Sequence, residues 1–180
     1  TQTRFFNLFL ALCLVLGGLA FTPVKPAYAA TLAVTNTNNT GVGSLRYVLA
    51  GASDGDIIDA TGISGMITLA SELYVDKNVT IKGSGAGSLT INGNNVGRVF
   101  NIWTVTVVIE NLTIANGQVT DSHGAGIYNL GYLTLNNVIV TDNDVLSTGS
   151  HVIGGGIYND GSLTMNGGEV TNNSAHDQGG

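Results

Sequence analysis

The chain has 180 residues, with 26 glycines, 2 prolines, a single cysteine and only 10% charged residues. Once a leader over residues 1–29 is set aside, four basic residues (Arg46, Lys77, Lys82, Arg98) face all twelve acidic ones, a formal charge of −8. Such a surface repels phosphate backbones and speaks against nucleic acid as a partner, while the lack of any cysteine after Cys13 excludes a disulfide framework.

Arg4 is followed by the apolar run Phe5 to Phe21, and Ala27-Tyr28-Ala29 then offers small residues at the two positions a signal peptidase reads. A basic start, an apolar core and an A-x-A site form a secretory signal pattern, so residues 1–29 are expected to be removed on export. A run of this length would also just span a bilayer. Pro23, Pro26 and the A-x-A site directly after it favour cleavage, which predicts a secreted, cell-surface or outer-membrane protein. A short capping helix is predicted from Ser44 to Ala52. Leu45, Val48, Leu49 and Ala52 fall at i, i+3, i+4 and i+7, and Ser44 stands at the N-cap. Residues 30–56 are read as an N-terminal cap region and 57–180 as a repeat domain.

Internal repeats dominate the remainder. GAGIYNLGYLTLNNVIVTDNDV from Gly124 to Val145 aligns with GGGIYNDGSLTMNGGEVTNNSA from Gly154 to Ala175, with twelve of 22 positions identical. A Leu-Thr-apolar core recurs at Leu89, Leu112, Leu133 and Leu163, in steps of 23, 21 and 30 residues; Leu146 to Ile153 is the extra material in the long step. Gly179 and Gly180 match the start of another copy, as in a fragment of a longer array. Each copy holds three short runs bounded by Gly or Asn, such as Ile157 to Asn159, Leu163 to Met165 and Glu169 to Thr171. These read as three strands and three turns, one rung of an all-β, right-handed parallel β-helix.

Stacking then assigns the letters of the repeat. Ile127 with Ile157, Leu133 with Leu163, Leu135 with Met165 and Val140 with Val170 are expected inside, about 4.8 Å apart. A charge at Ile157 should therefore destabilise the fold severely. Asn129 with Asn159, Asn136 with Asn166 and Asn143 with Asn173 are expected at corners, where Asn tolerates the left-handed conformation and its amide can bond the rung above. Gly126 and Gly156 occupy turns where a Cβ would clash. Tyr128 and Tyr158 read as an outward or corner ladder.

The segments GVGSLRYVLAGASDGDII, NVTIKGSGAGSLTINGNNVGRVFNI and VVIENLTIANG, with the GAGIYN and GGGIYN copies, resemble the bacterial right-handed β-helix repeat proteins of the pectin-lyase-like superfamily. The likeness is to a secreted or surface group with a G-S-L-R-x-A-I cap, and more distantly to polymorphic outer-membrane and autotransporter passenger repeats. It covers essentially residues 32–180 and implies an exported scaffold whose array usually runs into more rungs and a C-terminal anchor.

Lyases on this fold need carboxylates for Ca²⁺ and a basic residue to abstract a proton, yet no Lys or Arg follows Arg98. Hydrolases need paired carboxylates, whereas Asp121, Asp142, Asp144, Asp160, Glu169 and Asp177 read as turn residues. His123, His151 and His176 all precede Gly-rich starts and are candidates for a metal site at one corner. Asp142 to Asp144 matches part of a Ca²⁺ loop but lacks its Gly and distal Glu. No catalytic residue or cofactor is therefore assigned. The expected function is non-catalytic: a polar surface for adhesion to carbohydrate or cell envelope, with membrane contact only through the leader or a C-terminal anchor. The alternative is a polysaccharide lyase or glycoside hydrolase of the same superfamily.

Overall fold

The computed structural model describes residues 28–149 and 151–176. The predicted leader, apart from Tyr28 and Ala29, lies outside these residues, as do Asp177 and the copy expected from Gly179. The described chain winds as a parallel β-solenoid of about five turns. It opens with strand β1 (Thr31–Ala33) and helix α1 (Leu45–Gly51). Successive turns follow as β2 (Ile57–Asp59), β3 (Gly65–Thr68), β4 (Leu73–Val75), then β5 (Val79–Lys82), β6 (Leu89–Asn92), β7 (Phe100–Ile102). The next turn holds β8 (Thr106–Glu110), β9 (Thr113–Ala115), β10 (Gln118–Thr120) and β11 (Ile127–Asn129). The last described elements are β12 (Tyr132–Thr141), β13 (Asp144–Leu146), β14 (Ile157–Asn159), β15 (Ser162–Thr171) and β16 (Ser174–Ala175).

Three faces result, each a parallel sheet. The first stacks β1, β2, β5, β8 and the leading halves of β12 and β15; the second stacks β3, β6, β9 and their trailing halves. The third stacks β4, β7, β11 and β14, and β10, β13 and β16 add a shorter sheet at one corner. The alternation in runs such as Val79-Thr80-Ile81-Lys82 suits strands with one face buried and one in water.

Like residues stack on like inside. One column runs Leu73, Phe100, Ile127, Ile157. A second runs Ile58, Ile81, Ile109, Leu135, Met165, and a third Ile67, Ile91, Ile114, Val140, Val170. All are buried except at the last described turn, where Leu163 is 36% and Val170 48% exposed and Ile157 and Met165 are only partly covered. No described rung lies over them.

Two local features differ from the expected rung. The runs at Leu163 and Glu169 are one ten-residue strand, β15, bent at Gly167 and Gly168, whose φ angles are +74° and +86°. Left-handed backbone in the neighbouring turns falls at Asn111, Asn116, Asn137, Asp142 and Asn172. It does not fall at Asn129, Asn136, Asn143 or their partners, because those side chains bridge turns. Buried Asn143 accepts the Gly117 N–H (2.8 Å) and donates to Ile114 O, Thr141 O and Asn173 Oδ1. Asn129 likewise donates to Asn159 Oδ1 (2.6 Å) and accepts the Gly131 N–H, and Asn166 donates to Asn136 Oδ1 (2.9 Å). The residues beside Asn136, Asn143 and Asn173, namely Asn137, Asp142 and Asn172, absorb the turns, and Asn and Asp are the non-glycine residues that tolerate the left-handed conformation best. At Gly126 and Gly156 a Cβ would meet Gly156 O and the Asn173 amide at 2.5 and 2.7 Å.

Helix α1 seals the other end. Ser44 accepts the Tyr47 N–H and Leu45, Val48 and Leu49 are buried. β1, in the region read as a cap, is already a strand paired with β2. Asp56 ties the two together by accepting N–H bonds from Ala30 and Ser53, both at 2.8 Å, and the Ser53 and Ala30 bonds hold its carboxyl below the ordinary carboxylate range.

Ile127 should be the more sensitive member of its pair. Ile127→Ala is expected to lower unfolding free energy by about 2–5 kcal/mol and Ile157→Ala by clearly less, read from denaturant midpoints; equal losses would contradict the inward column. Because the folded Asp56 carboxyl titrates below its unfolded value, its contribution is complete above the unfolded pKa of about 4 and disappears as pH falls through the lower folded value. Asp56→Asn should accordingly lose part of the acid limb of the stability profile below about pH 4. Superimposable limbs in wild type and variant would refute this role.

Candidate functional site: the aromatic outer face

On the third face the central residue of each strand points outward, because Leu73 and Val75, Phe100 and Ile102, and Ile127 and Asn129 point in. The outward column is Tyr74, Asn101, Tyr128, Tyr158, in register. Successive members are about 4.8 Å apart along the solenoid axis. Tyr128 and Tyr158 stack at 4.9 Å and 13°, and the His123 ring stacks on Tyr158 at 4.8 Å and 18°.

Arg98 organises the polar part. Its guanidinium lies 4.9 Å from the Tyr128 ring centroid, where the negative ring face attracts it. Nη1 donates to Glu72 Oε2 (2.7 Å), Nε to Gly124 O (2.9 Å), and Nη2 to His123 O (2.8 Å) and Ser122 Oγ (3.1 Å). Glu72 accepts a second bond from Asn101 Nδ2 at 3.0 Å. Burial, then the nearby Asp160 and Tyr128, raise the Tyr158 hydroxyl above its usual pKa.

Beside this cluster the surface turns apolar. Tyr74 is 48% exposed and Trp103, just past β7, 47%; their centroids are 6.4 Å apart with the rings tilted by 40°. Tyr132, 66% exposed, opens the next turn at the same corner, its N–H bonded to Val105 O.

The first face is polar. Asp59, Lys82, Glu110, Asn136 and Asn166 form one outward column. Lys82 lies 3.9 Å from Glu110, which accepts from Asn136. Lys77 pairs with Asp76, and Arg46 donates to Ser71 O and Glu72 O. Every basic residue after the leader is thus engaged.

The three histidines do not converge. His123 accepts the Ile153 N–H at Nδ1 (3.2 Å) beneath Tyr158, His151 lies in the insertion before β14, and His176 meets Asp144 at 3.4 Å. Among the described residues no three His, Cys, Asp or Glu side chains are placed to hold a metal ion. The acids are similarly dispersed: Asp121 accepts from Thr148, Asp142 from Thr141 and Asp144 from Ser174, while Asp160 and Glu169 are exposed. The insertion also contributes Val152 to a small apolar cluster with Ala125 and Val145. An open apolar groove of about 390 Å³ lies at the cap, lined by Leu32, Val42, Tyr47 and Val48.

Glu72 and Tyr74 escaped the sequence reading, and Trp103 reads there as an isolated aromatic, because they belong to diverged early copies. The available signal was the triplet pattern: Leu73-Tyr74-Val75 and Phe100-Asn101-Ile102 are the counterparts of Ile127-Tyr128-Asn129. Comparisons with protein-family models, curated proteins and solved structures return no match.

Arg98→Met keeps the apolar stem and removes the charge, leaving Glu72 without its guanidinium. The expected loss is about 1–3 kcal/mol, measured by denaturant unfolding, and restoring it with Glu72→Gln in the same chain would identify the pair as the cause. A neutral Arg98→Met would contradict the network.

Proposed function

We propose that the chain is an exported, non-catalytic β-solenoid of the pectin-lyase-like superfamily whose outer faces make contacts with other surfaces, as in adhesion or attachment at the cell envelope. The observation that carries this reading is the set of exposed aromatic side chains Tyr74, Trp103 and Tyr132 beside the Arg98–Glu72–Asn101 polar network. Monomeric proteins rarely display clustered large apolar groups without an interaction to serve. Internal pairing also supports the non-catalytic reading. A lyase base must be free to take a proton, whereas Arg98, Lys82, Lys77 and Arg46 are committed to carboxylates or carbonyls. Export rests on the leader pattern, and no described helix is long and apolar enough to cross a membrane. Superfamily membership rests on the sequence resemblance together with the solenoid.

Expression of the full chain in a bacterial secretion host tests export, with an expected new N-terminus at Ala30 by Edman or mass-spectrometric sequencing. Retention of residues 1–29 on a membrane-bound product would overturn it. Incubation of the purified protein with polygalacturonate and other uronans, with and without Ca²⁺, should release no unsaturated or reducing ends. Release of either would replace this reading with a carbohydrate-active enzyme.

A further inference from the structure

The aromatic corner has a chemistry more specific than adhesion in general. Tyr74, Trp103 and Tyr132 are each about half exposed or more and belong to three successive turns, so they form a path along the solenoid axis and across the corner between the third and first faces. Each turn advances it by about 4.8 Å, which suits an extended, repeating ligand better than a compact one. The Tyr74 and Trp103 rings are tilted by 40° at 6.4 Å, a geometry that leaves ring surface open to solvent. Further along the same outward column, Tyr128 and Tyr158 stack on each other, with His123 against Tyr158 and Arg98 over Tyr128.

An aromatic ring face is electron-rich. It attracts groups with weakly positive hydrogens spread over a flat surface, and a pyranose presents these along its axial C–H faces. The hydroxyls at the sugar's rim need hydrogen-bond partners, and the rim here supplies them. Glu72 is partly exposed, and Asp160 is exposed one residue beyond β14.

The charge arrangement decides the class of polymer. Two cations border this corner: Lys77, in the turn from β4 to β5, is paired with Asp76, and the Arg98 guanidinium is already filled by Glu72, Gly124, His123 and Ser122, with the Tyr128 ring against it. A uronate or sulfated sugar would find no free cation and two carboxylates, Glu72 and Asp160, on a domain of formal charge −8. Single-stranded nucleic acid also stacks on aromatics but needs a positive groove for its backbone, which the same arrangement denies. We propose that the Tyr74–Trp103–Tyr132 corner binds a neutral polysaccharide chain. This rests on the non-catalytic surface reading above and names the ligand of that surface.

Affinity electrophoresis of the purified full chain tests it, with gels containing hydroxyethylcellulose, galactomannan, soluble β-1,3-glucan or arabinoxylan, and with polygalacturonate and single-stranded DNA as charged controls. At least one neutral polymer should retard the protein and neither polyanion should. Trp103→Ala and Tyr74→Ala should each weaken retardation about tenfold or more, the usual cost of removing an aromatic anchor, with unchanged thermal melts because both side chains are exposed. Preferential retardation by polygalacturonate or DNA, retardation by no neutral polymer, or retardation indifferent to both substitutions would each overturn the assignment. Adhesion of the protein to whole cells or cell-wall material separates the two levels. Adhesion without polysaccharide binding would sink the neutral-glycan assignment alone, and absence of both would sink the surface reading with it.

Discussion

The rest of the structure depends on the in-register parallel ladder between successive turns. Strands of successive rungs pair their backbone N–H and C=O groups with one another, and the same registry places Leu73, Phe100, Ile127 and Ile157 in one column of the interior. A slip of one residue would turn every inward side chain out. Rungs must therefore keep a common path, and additions are confined to corners. The insertion between β13 and β14 follows this rule, leaving at the end of β13 and returning to β14 in register with β11.

The corners are where this constraint meets backbone sterics. A turn tight enough to keep the rungs superposed needs left-handed residues, met by Asn111, Asn137, Asp142 and Asn172 and by glycines 167 and 168. The buried amides of Asn129 and Asn143 then satisfy backbone groups that no strand reaches. This division of labour explains what was legible in the chain. The inward columns and the bridging Asn residues recur at a fixed offset, so aligning two copies reveals them. The left-handed position keeps its offset but changes residue, Asn137 in one copy and Gly167 in the next, and the neighbouring Asn136 and Asn166 draw the eye. The bend within β12 and β15 was hidden for the same reason, because Asn136-Asn137 and Asn166-Gly167 resemble strand ends although the ladder continues through them.

The candidate site was less legible, for a different physical cause. Outward positions are free of the stacking constraint, so the copies diverge there, and Tyr74, Asn101, Tyr128 and Tyr158 share a column without sharing a motif. The Arg98 network links residues 26 positions apart through contacts that exist only once the rungs stack. The result is a surface whose charges are spent on one another while its largest aromatic groups remain in water. On the proposed reading, that combination suits contact with an uncharged, extended partner better than chemistry on a charged one.

The in-register stack itself can be tested with two engineered thiols, since no cysteine follows Cys13. Thr134 and Thr164 are outward neighbours on adjacent rungs of the first face, at a separation of about 4.8 Å that lies within the span a disulfide can bridge. Thr134→Cys combined with Thr164→Cys should oxidise to an intramolecular disulfide, seen as a loss of two free thiols without a change of monomer mass class, whereas Thr134→Cys combined with Asn166→Cys should remain reduced. Ready cross-linking of the second pair, or none of the first, would contradict the ladder on which the whole account stands.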